Sequence, residues 1–163
     1  MPRNGRLRNM TSVYLLREDN ILLLYRQGNS IVRDMWVSSA GGHFEDHELN
    51  DPKACVLREL WEELGLSEDD LIDLRLRYAT MRDMDDEIRQ NYYFFAYLKP
   101  DVPEVLPSTE GITKWYPLDG TQDLKMPFTA RYVIDHYVSV GRYNDLLYGG
   151  IGNDTDDVTF IPL

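Results

Sequence analysis

At 163 residues, with 43% hydrophobic and 28% charged side chains, the chain has the size and balance of one globular domain, burying roughly 70% of its unfolded surface. A formal net charge of −11 argues against general nucleic-acid binding and against adhesion to anionic membranes; small anionic substrates stay open, since a divalent metal inverts the local sign. The single cysteine, Cys55, excludes an internal disulfide, no apolar run approaches the ~20 residues of a bilayer span, and the basic start MPRNGRLRNMTS lacks a signal peptide's apolar stretch, so a cytoplasmic location is expected.

SVYLLREDNILLLYR predicts two strands around Glu18-Asp19-Asn20. QGNSIVRD follows as a polar loop, and MWVSSAGGHFE as one short strand running into paired glycines. Asp51-Pro52 predicts a helix start, with Asp51 as the cap and Pro52 in the first turn; the helix runs to Leu64 and stops at Gly65. LIDLRLRYATMRDMDDEIRQNYYFFAYL predicts two long strands around Asp85-Asp86. KPDVPEVLPSTEG is a proline-rich surface loop and ITKWYPL a strand. PFTARYVIDHYVSVGRY has helical spacing, with Val133, Ile134, Tyr137 and Val140 on one side, and DLLYGGIGNDTDDVTFIPL predicts a closing hairpin. With no repeat or linker to divide it, the chain is expected to form a single domain over 1–163, a mixed α/β sandwich.

On the first helix Leu57, Leu60, Trp61 and Leu64 form one apolar arc, whereas Glu59, Glu62 and Glu63 share a face directed away from the core. Like charges at these spacings repel by a few tenths of a kcal/mol each, and a merely solvated face more naturally mixes in lysines. Arg58, four residues before Glu62, is placed to pair with it and hold it.

The run from Gly42 through Glu48 to Arg58-Glu59-Leu60-Trp61-Glu62-Glu63-Leu64-Gly65-Leu66 resembles the box of the Nudix hydrolase family, and the likeness extends over most of the chain. The spacing from Glu48 to Arg58 is two residues longer than the family's, which lengthens the loop around LNDP and bears on where Glu48 stands. The resemblance implies an α/β/α sandwich with a mixed central sheet and a loop-helix-loop metal site. It implies hydrolysis of a nucleoside diphosphate linked to another group, by water attacking phosphorus. Glu59, Glu62 and Glu63 are then ligands of Mg²⁺ or Mn²⁺, with the Gly41 carbonyl and Glu110 as further ligands. Arg58, Glu59 and Glu62 are the catalytic group: Arg58 orients the glutamates, and a glutamate activates the water.

Within the family, DMWVSSAGGHFE, RQNYYFFAYL and EGITKWYPLDGTQDLKMPFTARYV resemble the 8-oxo-dGTP diphosphatase (MutT-like) branch. That likeness makes Trp36, Asn91, Met126 and Phe128 candidates for the base pocket. Where the best-known member of the branch reads the purine edge with adjacent aspartates, this chain has Met126-Pro127-Phe128-Thr129, and Val37 stands for a base-reading Asn. Substrates other than 8-oxo-dGTP, such as ADP-ribose or a nucleotide sugar, fit the same box, as does a nucleotide sensor without turnover; a sensor is expected to have a broken box, and this one is intact. The expected partner is a nucleoside phosphate, bound by a monomer or a homodimer, with neither nucleic-acid polymer nor membrane. His43 and His47 lie in a loop and not on a helix, which disfavours zinc; NDTDD reads as a hairpin turn, and Cys55 has no base beside it.

Overall fold

Strand β1 (Arg6–Arg17) turns at Glu18-Asp19 and returns as β2 (Asn20–Arg26) in the register Leu15↔Leu22. Val13, Tyr14, Leu15 and Leu16 are all buried because both faces of the strand are covered. Val13 and Leu15 pack under helix α1 (Pro52–Leu64), while Tyr14 and Leu16 pack under helix α2 (Phe128–Ser139). The period-two alternation of the strand thus feeds two separate cores, one on each side of the sheet. The computed structural model describes residues 6–26, 34–153 and 156–163; the first five residues of the basic start, most of the expected loop after Arg26 and the middle of the NDTDD turn lie outside the described residues.

The described strands follow the order β3-β2-β1-β6-β5-β8-β9, with β4 on β1 and β7 on β2. Here β3 is Met35–Val37, β4 Ala40–His43, β5 Leu71–Met84, β6 Glu87–Leu98 and β7 Ile112–Pro117, and the closing hairpin is β8 (Tyr148–Gly152) and β9 (Val158–Pro162). The β1/β6 and β5/β8 pairs are parallel and the others antiparallel, so the sheet is mixed. The expected α/β/α sandwich is the fold observed, and no helix among the described residues is long and apolar enough to cross a membrane.

One edge of β1 has two partners. Met10 to Val13 pair with β4, and Leu15 to Arg17 with β2. The fork places Gly41 and Gly42 beside the middle of β1, and MWVSSAGGHFE is therefore two strands broken at Ser38-Ser39 rather than one. Ser39 stabilises the break: its hydroxyl donates to the Leu22 carbonyl at 2.6 Å and accepts from the Leu15 amide at 2.9 Å.

Helix α1 starts and stops where its sequence predicts. Asp51 accepts from the Ala54 amide at 3.1 Å, and Gly65 closes the helix in the left-handed conformation at φ 68°. Its orientation differs from the apolar arc. Cys55, Val56, Leu60, Glu63 and Leu64 are buried, whereas Trp61 is 63% exposed. The helix is rotated so that Glu63, expected on the outer face, lies against the sheet beside the two glycines, and this rotation turns Trp61 out. On α2, Val133, Ile134 and Tyr137 are buried as expected; Val140 is not, because the helix ends at Ser139 and a short 3₁₀ turn follows.

Candidate active site

The carboxylates of α1 converge on β4 because the backbone there carries no side chains. A Cβ on Gly42 would stand 2.4 Å from Glu59 Oε1, and one on Gly41 would meet the Thr11 carbonyl oxygen at 2.3 Å. Glycine at both positions lets the helix approach closely enough for the Gly41 amide to donate to Glu63 Oε2 at 2.8 Å.

Arg58 organises the rest. It donates to Glu48 through Nε at 2.7 Å and Nη2 at 2.9 Å, and through Nη1 to Glu59 at 2.9 Å and Glu62 at 3.0 Å. Its Nη2 also reaches the His43 carbonyl at 3.0 Å. Glu48 is buried and also accepts from the Glu45 amide at 2.8 Å. The two additional residues are absorbed after Glu48, where Asn50 takes a positive φ of 67° before the helix begins. The box glutamate nearest the loop thus keeps its contact with the box arginine.

These contacts shape the electrostatics. Hydrogen bonds from Arg58 hold the Glu48 carboxyl below its usual value. Burial pushes Glu63 up to about 7, with the Glu59 and Glu110 charges adding to the effect, and burial also raises Glu59. Glu110 reaches this group because the Thr109 amide bonds the Glu63 carbonyl at 3.3 Å at the end of α1; its own carboxylate faces Arg26 at 3.5 Å.

Among the described residues no three acidic, His or Cys side chains already converge as a metal cage. Glu59 and Glu62 each give one oxygen to Arg58, and Glu63 gives one to Gly41. The donor set nevertheless fits a hard divalent cation. Glu59, Glu62 and Glu63 offer oxygen alone, and the burial and mutual repulsion that raise Glu59 and Glu63 are the strain a dication relieves. The zinc alternative has no such geometry: His43 Nε2 faces Arg8 at 2.9 Å, while His47 is exposed beside Glu45. Cys55 is buried against Thr11, and burial pushes its thiol up to about 11.

A cleft of about 590 Å³ opens from Gly41, Gly42 and Glu63 across the α2 face of the sheet. Its floor is made of alternate residues: Arg8, Met10 and Ser12 on β1, Arg89 and Asn91 on β6, Thr80 and Arg82 on β5. Phe128 and Thr129, at the start of α2, form the opposite wall. Asn91 and Phe128 therefore line the cleft as their candidacy requires, with Asn91 and Ser12 bonded at 3.4 Å and the Arg82 guanidinium 4.0 Å over the Phe128 ring.

Trp36 and Met126 do not line it. Met35 and Val37 face the cleft, so Trp36 points to the other side of β3, packed between Tyr25 at 5.0 Å and Tyr116 at 4.9 Å. Met126 is buried in the core under α2. The cleft also contains residues that the sequence alone does not single out, namely Arg8, Arg26, Arg82 and Arg89. Their signal is an arginine on each of β1, β2, β5 and β6, brought to one cleft only once the strands are in register.

The family model of the NUDIX domain matches residues 6–137 of the chain. Among solved structures, the chain is similar to the mutator MutT protein from Bacillus halodurans at 21% identity, covering 95% of this chain and 97% of that one with a TM-score of 0.70. It is similar to the E. coli ORF135 protein at 18% identity, covering 86% and 95% with a TM-score of 0.67. A bifunctional NMN adenylyltransferase/ADP ribose pyrophosphatase from Francisella tularensis, complexed with AMP and a Mn ion, shares 16% identity and a TM-score of 0.62; the match covers 85% of this chain and 43% of that one. No curated protein sequence matches. The chain belongs to the NUDIX family, whose hydrolases act on phosphorus-containing anhydrides.

Proposed function

We propose that the chain is a divalent-metal-dependent pyrophosphohydrolase of nucleoside diphosphate derivatives, with Mg²⁺ or Mn²⁺ held by Glu59, Glu62 and Glu63 and completed by the Gly41 carbonyl and Glu110. The observation that carries the reading is the convergence of Glu59 and Glu63 on glycine backbone at the cleft edge, with Arg58 bracing Glu48, Glu59 and Glu62 together. When bound, the metal neutralises the phosphate oxygens and supplies an activated water. The chain's own part is positional. Arg58 fixes the spacing of the glutamates, Glu62 is exposed and accessible to the attacking water, and Arg26 stands beside Glu63 and Glu110 where a substrate phosphate enters.

The nucleoside occupies the cleft floor between Asn91 and Phe128. By resemblance 8-oxo-dGTP is among the substrates, and ADP-ribose-like and nucleotide-sugar compounds fit the same chemistry. Phosphate release over a nucleotide panel in Mg²⁺ tests the reading. Glu62→Gln is expected to lower kcat by at least about 10²-fold. Undiminished turnover in EDTA, or by the Glu62→Gln enzyme, overturns it.

A further inference from the structure

Three arginines stand side by side across three neighbouring strands. Arg8 is opposite Arg89 in the parallel β1/β6 pair, and Arg89 is opposite Arg82 in the antiparallel β5/β6 pair. All three line the cleft. Like charges directly opposite across a sheet oppose its stability, so such a row needs a counter-charge. Glu87 supplies part of it: Arg8 Nη1 and Arg89 Nε both donate to the same oxygen, Glu87 Oε2, at 3.3 and 3.2 Å. Two guanidinium groups on one carboxylate oxygen leave a positive charge between them. The third close neighbour, the His43 ring nitrogen 2.9 Å from Arg8, brings no negative charge. Arg82 is engaged separately, with the Asn153 carbonyl at 3.1 Å and the Phe128 ring.

The row lies at a definite distance from the carboxylates. Gly41, bonded to Glu63, is opposite Ser12, and Arg8 lies four residues away along β1, about 13 Å at ~3.3 Å per residue. A bound cation, the cleaved anhydride and the ribose would fill that span. Arg8 and His43 also border a second groove of about 630 Å³, lined by Arg6, Asn9 and Asp46, which gives a group at the row room to extend.

We propose that Arg8 and Arg89, with Arg82 beside them, bind a second anionic group of the substrate, a phosphate on the ribose away from the cleaved anhydride. The substrate class is then a nucleoside diphosphate derivative with an additional 2′- or 3′-phosphate. The inference rests on the hydrolase reading for the position of the cleaved bond, but the binding site stands on the register of the arginines. Guanidinium groups match phosphate oxygens bidentately, and the half-buried cleft screens them less than open surface does. Glu87 holds Arg8 and Arg89 together at one carboxylate oxygen.

The test is equilibrium binding in EDTA, where no turnover occurs, of adenosine 2′,5′-bisphosphate and adenosine 3′,5′-bisphosphate against 5′-AMP. At least one bisphosphate is expected to bind about tenfold tighter than 5′-AMP or better, with the margin shrinking as salt is raised. Which bisphosphate wins identifies the ribose position. Arg89→Gln is expected to remove the margin. Glu87→Gln is expected to widen it, because Arg8 and Arg89 lose their shared carboxylate; this opposite sign decides the matter should Arg89→Gln fail to fold. Equal binding of all three ligands overturns the proposal, as does a margin that Glu87→Gln leaves unchanged. A chain that binds the bisphosphate more tightly but hydrolyses no nucleotide in Mg²⁺ keeps the arginine site and overturns the hydrolase reading instead.

Discussion

Arg58 and Glu48 form a two-point ion pair, Nε to Oε2 at 2.7 Å and Nη2 to Oε1 at 2.9 Å, across a loop two residues longer than the family's spacing. The planar guanidinium makes this geometry possible, and the same group reaches Glu59 and Glu62 with its remaining nitrogen. Lysine carries the charge without the fork. Arg58→Lys is therefore expected to fold, with Mn²⁺ affinity and kcat/KM both reduced about 10–100-fold, the usual consequence of losing a group that orients ligands. Mn²⁺ titration and steady-state kinetics on one preparation check it, and an Arg58→Lys enzyme with native values for both contradicts it.

The Glu48 pair also predicts how stability depends on pH. Its folded-state pKa is depressed, chiefly by the Arg58 hydrogen bonds, relative to an unfolded value near ~4.3. The unfolded chain thus takes up the proton first as pH falls. The stabilisation is present above about pH 4.3 and is lost as the pH falls through the folded value. Glu48→Gln is expected to cost about 3 kcal/mol at pH 7 and to flatten the acid limb of the stability curve. Urea melts of both proteins from pH 7 to pH 3 measure this. Parallel acid limbs would show that other carboxylates carry the dependence.

Base discrimination is expected to be weak. The apolar Val37 faces the cleft, and the wall opposite is the Phe128 ring under Arg82. Stacking tolerates any base, whereas strong rejection needs buried polar groups left unpaired by the wrong one. The enzyme is expected to favour 8-oxo-dGTP over dGTP by less than about 10²-fold in kcat/KM. A ratio above about 10³-fold, abolished by Asn91→Leu, would locate a polar reading site at Asn91 and Ser12.

Removing residues 150–163 takes away β9 and most of β8, and leaves the β5 edge from Thr80 to Arg82 without its parallel partner. It also removes Phe160, whose ring lies 4.7 Å from His136 and 5.5 Å from Tyr78. The truncated chain is expected to aggregate on expression or to lose cooperative melting. A soluble truncate with the parent Tm would count against this.

Local signals were readable wherever one residue type does one job. Asp51, Pro52 and Gly65 bound α1, and Asp85-Asp86 turns β5 into β6, as a single segment dictates. What the sequence could not reveal depended on how segments meet. Trp61 lies on the outward side because the helix is rotated to bring Glu63 to Gly41, a docking constraint that the spacing of apolar residues along one helix does not contain. Trp36 lies outside the cleft because the pairing of β3 decides which of Met35, Trp36 and Val37 face it. The Arg8-Arg89-Arg82 row joins residues far apart in the chain through two strand registers.

Cys55 is the chain's one thiol, on the sheet-facing side of α1 at 0% exposure and pushed up to about 11 by burial. A thiol so placed is chemically silent in the closed protein and becomes reactive when the helix lifts from the sheet. The rate at which a disulfide reagent consumes it therefore clocks that excursion, without a label or an engineered probe. Because the same helix carries Glu59, Glu62 and Glu63, slower consumption with Mg²⁺ added would read out, in time rather than in turnover, how firmly the cation clamps the helix to the glycines.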